Sequence, residues 1–76
     1  MATLGKSTLA ALNLIRASFE LRHDGQFWYA TYKARPGRDW ILIEDSRNTE
    51  QAAVDALERN VIRALEPGGS LARYVR

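Results

Sequence analysis

The residues with the most chemical potential in this 76-residue chain are few, and their spacing argues against a reaction centre. His23 is the only histidine. It precedes Asp24-Gly25, a turn signal, so it is expected to be an exposed turn residue with no pocket in which to serve as a general base. Gly5-Lys6-Ser7-Thr8 has the residue types that close a phosphate-cradling loop. That loop also needs an earlier glycine and a preceding strand, and only four residues come before Gly5, so the match is expected to be coincidental. Glu44 and Asp45 are adjacent, but neighbouring strand residues point to opposite faces and cannot share one proton or metal ion. No cysteine is present and no cluster has metal-ligand spacing, so neither a metal nor a cofactor is expected. The chain reads as a binding module and not as an enzyme.

What remains is a set of cations interleaved with aromatics: Arg16, Arg22, Phe27, Tyr29, Lys33, Arg35, Arg38 and Trp40. Cations neutralise phosphates and aromatic faces stack on bases or lie along sugars, so this combination suits nucleic acid. Tyr, Trp and Arg are also the residues that dominate protein interfaces. The formal net charge is only +2, but its distribution is uneven. Residues 1–40 carry six cations against three carboxylates, and residues 41–76 carry five against six.

Three strands are needed to display that set. Ile15, Ala17, Phe19 and Leu21 alternate with Arg16, Ser18, Glu20 and Arg22, the two-residue period of a strand with one buried face. The Asp24-Gly25 turn leads into an aromatic-rich strand from Phe27 to Arg35, and Pro36-Gly37-Arg38-Asp39 leads into a third from Trp40 to Glu44. With Asp24-Gly25 central, Leu21 faces Trp28 and Phe19 faces Ala30. With Gly37-Arg38 central, Ala34 faces Ile41 and Tyr32 faces Ile43. All three strands then turn one apolar set to the same side. Asn48 to Glu66 has helical spacing, with Asn48 or Thr49 as N-cap, an apolar arc of Ala53, Val54, Leu57, Val61, Ala64 and Leu65, and Asp55, Glu58, Arg59, Arg63 and Glu66 opposite. Pro67 ends it, with Gly68-Gly69 as a joint.

The expected class is therefore α+β: a three-stranded antiparallel meander with one helix packed on one face. Residues 1–14 form an arm or a short helix capped by Ser7, 15–66 the β-β-β-α domain, and 67–76 a tail that adds an edge strand or dangles. The uncovered face carries Arg16, Ser18, Glu20, Arg22, Phe27, Tyr29, Thr31, Lys33, Arg35, Trp40, Leu42 and Glu44, with Arg22 across from Phe27, Tyr29 across from Glu20 and Arg35 across from Trp40. A purely structural alternative is that the aromatics pair across strands, or that the arm or tail buries Trp40 and Leu42. A chain this short buries roughly 60% of its unfolded surface, so its stability is modest. The apolar run Leu9–Ile15 is broken by Asn13 and is far short of a membrane span, and a cytoplasmic location is expected.

The stretch from Gln26 to Leu57 also has a familiar pattern. Trp28-Tyr29-Ala30, a polar turn, Trp40-Ile41-Leu42, then Asn48-Thr49-Glu50-Gln51-Ala52-Ala53 and Ala56-Leu57 resembles two related groups. These are the arm-type DNA-binding domains of phage-type tyrosine recombinases and the plant ethylene-response-factor-like domains. The resemblance implies recognition of duplex DNA through the sheet, by Arg22, Tyr29, Lys33, Arg35, Arg38 and Trp40. The spacing Thr49…Ala53…Leu57 is similar to antitoxin domains of the HicB kind, which bind a protein. In size and style the chain also looks like phage-encoded inhibitors of bacterial proteins, anti-CRISPR proteins included. Two partners are thus expected in turn: nucleic acid, with duplex DNA first, or a bacterial protein. A homodimer through the sheet is compatible with either.

Overall fold

A computed structural model describes residues 4–74. In chain order the elements are α1 (Lys6–Leu14), β1 (Ser18–His23), β2 (Trp28–Ala34), β3 (Ile41–Arg47), α2 (Glu50–Leu65) and a 3₁₀ turn (Ala72–Tyr74). The strands form one antiparallel sheet in the order β1-β2-β3, so the α+β meander is as expected.

Lys6–Leu14 is a helix and not an arm, and residues 1–3 lie outside the described ones. Gly5 stands at its N-cap with no side-chain cap, so Ser7 does not take that role. Its C-terminus corrects the sequence reading of β1, which begins at Ser18 and not at Ile15. Ile15 is the C-cap and Arg16 follows in the left-handed region with φ 56°. The Arg16 N–H donates to the Asn13 carbonyl at 3.1 Å and the Ala17 N–H to the Leu12 carbonyl at 2.9 Å. This Schellman pattern satisfies two carbonyls that a helix end otherwise leaves open. The alternation that reads as strand from Ile15 therefore begins inside a helix cap.

The β1–β2 register is Leu21 opposite Ala30 and Phe19 opposite Tyr32, two residues from the expected pairing. The turn lies one residue later, on Gly25-Gln26, closed by the Asp24 N–H donating to the Phe27 carbonyl at 3.2 Å. Gly25 has φ 97° and Gln26 does not have positive φ, so only the first central residue is left-handed, as in a type II′ turn. The Asp24 carboxylate holds the turn by accepting from the Gln26 and Phe27 amides at 2.9 and 2.7 Å. A slip of two preserves the face of every side chain, so the apolar set stays on one side. The β2–β3 register, Ala34 opposite Ile41 and Tyr32 opposite Ile43, is the one expected.

Thr49 is the N-cap of α2, its Oγ1 accepting from the Ala52 N–H at 3.2 Å. Small residues at the interface of helix and sheet, Ala30, Ala53 and Ala56, are almost completely buried and let the two layers approach. Leu12, Leu57 and Val61 fill the main core with Leu21, Trp28, Tyr32 and Ile43 around them. Glu58, expected on the solvent side of α2, instead turns inward: its Oε2 is buried with no hydrogen-bond partner among the described residues. Burial, reinforced by Asp55, pushes its carboxyl pKa up.

The tail neither dangles nor adds a strand over its described residues; Val75 and Arg76 lie outside them. It folds back so that Leu71 joins Ile15 and Ala34 in a second small core. The Leu71 N–H donates to the Ala64 carbonyl at 2.9 Å, and the Gly69 N–H to the Glu66 carbonyl at 2.8 Å. Gly69 is required there, because a Cβ would stand 2.7 Å from the Arg63 carbonyl oxygen and closer still to that of Ala64.

Candidate functional site

Helix α2 covers one side of the sheet and leaves the other free, and the free side holds the expected set, divided into two unlike halves. Toward the Asp24 turn the charges are consumed internally. Arg22 lies opposite Tyr29, not Phe27, with its guanidinium 4.9 Å from the Tyr29 ring centroid. It pairs with Glu44 at 3.2 Å and with Glu20 at 3.5 Å. Glu44 also accepts from the hydroxyl of Thr31, itself buried, at 2.8 Å. Tyr29 donates its hydroxyl to Asp24 at 2.9 Å. Hydrogen bonds from the Phe27 and Gln26 amides and from Tyr29 hold the Asp24 carboxyl down at about 2, and the same bond to Asp24 pushes the Tyr29 phenol up. These contacts tie up Arg22, the one cation of this half among the described residues, between three carboxylates, Glu20, Asp24 and Glu44, and leave no unpaired cation there for a phosphate.

At the other end the cations are not matched. Trp40 is 60% exposed. The Lys33 ammonium lies 5.2 Å and the Arg35 guanidinium 5.7 Å from its ring centroid, both within cation–π range. Arg35 is further fixed by donating Nε–H to the Arg38 carbonyl at 3.0 Å. Beside them is an open depression of about 620 Å³, lined by Arg16, Lys33, Arg35, Trp40 and Tyr74 with Leu14, Ile15, Ser18 and Pro36. No carboxylate is among these lining residues. Among the described residues, neither Lys33, Arg35 nor Arg16 forms an ion pair.

Of the eight residues expected at the site, the fold thus gathers four: Arg16, Lys33, Arg35 and Trp40. Arg16 reaches the depression from the cap of α1 and not from a strand. Arg22 and Tyr29 belong to the half whose cation is already paired, Phe27 flanks the turn, and Arg38 is an exposed turn residue that contributes its carbonyl. Neither α1 nor the described tail covers Trp40, and Leu42 is also 58% exposed. The sequence pattern does not place Tyr74 at the site, because its position in the wall depends on the tail folding back at Gly69. A trace of it is legible: Leu71 and Tyr74 are spaced for one helical turn after a glycine joint.

His23 is exposed and stacks on Trp28 with ring centroids 4.5 Å apart. No group of three His, Asp or Glu among the described residues is placed to hold a metal ion, and no helix among them is long and apolar enough to cross a membrane. No family model, curated protein or solved structure matches the chain, so its reading rests on the geometry of this face.

Proposed function

We propose that the protein is a nucleic-acid-binding module, with duplex DNA as its first candidate ligand, and that it binds through the Trp40 end of its open sheet face. The observation that carries this reading is the clustering of Arg16, Lys33 and Arg35 around one depression without a carboxylate in its lining. Phosphates take up the three cations, while Trp40 fixes two of them and offers its exposed edge to sugar or base. The weak sequence resemblance to sheet-reading DNA-binding domains agrees with this use of the face. Fold analogy alone does not fix function, so the cations carry the argument.

Three phosphate contacts give a log K against log salt slope of about −2.7 on duplex DNA, an affinity loss of about 40-fold between roughly 50 and 200 mM salt. Fluorescence anisotropy with a short mixed-sequence duplex measures it. Lys33→Ala removes one contact and reduces the slope to about −1.8. Binding that ignores salt, or a slope that Lys33→Ala leaves unchanged, refutes the reading.

A second reading is favoured by Leu42, which stands exposed beside Trp40 and has no role in phosphate binding. An exposed Trp and Leu with arginine close by also suit a bacterial protein partner, as for a phage-encoded inhibitor of the anti-CRISPR kind or an antitoxin-like regulator. Leu42→Ala separates the two. It leaves duplex affinity within about twofold but weakens a protein interface centred on Trp40 by about tenfold.

A further inference from the structure

The sheet has two open edges, and they are not alike. On β3, Asp45 is engaged with Arg47 and accepts from the Asn60 amide of α2. On β1, five of six residues are exposed, and no proline or lysine within the strand blunts the edge. Phe19 adds a second oddity. It lies on the side of the sheet that α2 covers, yet it is 48% exposed, because α2 packs over β2 and β3 and stops short of β1.

The hydrogen-bond phase of β1 shows which of its backbone groups face outward. The Asp24–Phe27 pair is hydrogen-bonded, so pairs alternate from there along the hairpin. Arg22, Glu20 and Ser18 spend their N–H and C=O groups on β2. Those of His23, Leu21 and Phe19 point away from it, toward the empty edge.

We propose that β1 pairs antiparallel with β1 of a second copy of this chain, centred on Leu21, to form a twofold dimer with a continuous six-stranded sheet. Charge selects the register. Centring on Glu20 sets two glutamates against each other, and centring on Arg22 sets two arginines together and Glu20 against Asp24. Centring on Phe19 uses only the start of the strand and pairs no opposite charges. Centring on Leu21 places Glu20 opposite the partner's Arg22, and the symmetry does so twice. It also makes Leu21–Leu21 and Phe19–His23 the hydrogen-bonded pairs, matching the outward groups. Glu20–Arg22 then falls in the non-hydrogen-bonded pairs, where opposite side chains approach most closely. Glu20 and Arg22 have side chains 62% and 51% exposed, so both can reach across. Phe19 gains a neighbour in the partner's His23 on the side that α2 leaves uncovered. The dimer does not depend on what the Trp40 face binds.

Sedimentation equilibrium of the full chain from micromolar to millimolar concentration tests it. The expected mass is about twice 8.6 kDa. Glu20→Arg leaves the Arg22–Glu44 pair in place but sets like charges across the edge. It weakens self-association by about tenfold or more. Arg22→Glu does the same by placing glutamates together. A mixture of the two variants restores the dimer as a heterodimer, since each then meets its opposite. Because the chain has no cysteine, a second measurement is independent of charge. Mixed Glu20→Cys and Arg22→Cys variants, each folded by circular dichroism, cross-link to each other on mild oxidation in preference to themselves, their Cα atoms being about 4.5 Å apart. A monomer throughout, a dimer indifferent to Glu20→Arg, or cross-linking without preference for the mixed pair overturns the proposal.

Discussion

Replacing Gly69 by alanine tests how the tail is attached and whether it builds the depression. The added Cβ meets backbone atoms, 2.6 Å from the Ala64 carbonyl carbon and 2.7 Å from the Arg63 carbonyl oxygen. Backbone in the last turn of α2 cannot yield as a side-chain tip would, so the tail must move. What it loses is the burial of Leu71, 2% exposed, and the bond from its N–H to the Ala64 carbonyl. Burying a leucine contributes about 2–3 kcal/mol and a hydrogen bond about 1 kcal/mol. Freed Ser70 to Tyr74 recover chain entropy, which offsets part of this. The net cost is about 1–3 kcal/mol, a large share of the stability of so small a domain. Urea unfolding followed by tryptophan fluorescence reads it directly. Leu71→Ala acts on the same attachment, so the double variant falls short of the sum of the two single effects. Tyr74 leaves the wall of the depression in Gly69→Ala while Lys33, Arg35 and Trp40 keep their places. Gly69→Ala within about 0.5 kcal/mol of the parent, or strict additivity with Leu71→Ala, refutes the docked tail.

Three further outcomes are expected. Arg16→Gly relieves a left-handed residue at the α1 cap and raises stability by up to about 1 kcal/mol, less what glycine adds to the freedom of the unfolded chain; it also removes one salt-sensitive phosphate contact, so stability and binding move in opposite directions. The Asp24 carboxyl, held at about 2 against an ordinary value of 3.8, is deprotonated in the folded state where the unfolded chain begins to protonate. Its contribution is therefore present above about pH 4 and lost as pH falls through about 2, and Tyr29→Phe moves its titration, followed by carboxyl-carbon NMR, upward by only part of the shift, because the Phe27 and Gln26 amides still hold it. Glu58 has the opposite sign: burial raises its pKa in the fold, so ionisation destabilises the native state as pH rises, and Glu58→Gln is more stable than the parent at neutral pH, with a gain that fades below about pH 4 in urea midpoints compared at the two pH values.

Much of this architecture is written locally. The alternation of Phe19 and Leu21 with Glu20 and Arg22, the Pro36-Gly37 turn and the Thr49 cap each fix an element from its own residues, and the β2–β3 register follows from matching apolar sides. Face assignment is the same whether the first turn centres on Asp24-Gly25 or on Gly25-Gln26, because a two-residue slip preserves side-chain parity. Local pattern is ambiguous at Ile15-Arg16, where the last residues of a helix cap mimic the first residues of a strand; the left-handed φ of Arg16 and the bonds from the Arg16 and Ala17 N–H groups distinguish them. The sequence by itself determined which strand residues share the open face, since the period of a strand dictates it. Only the tertiary structure decided which of those charges remain for a ligand. Arg22 is spent on Glu20 and Glu44, whereas Arg16, Lys33 and Arg35 converge beside Trp40, and charge neutralisation depends on distances across strands and between the α1 cap and the sheet, distances that folding alone sets.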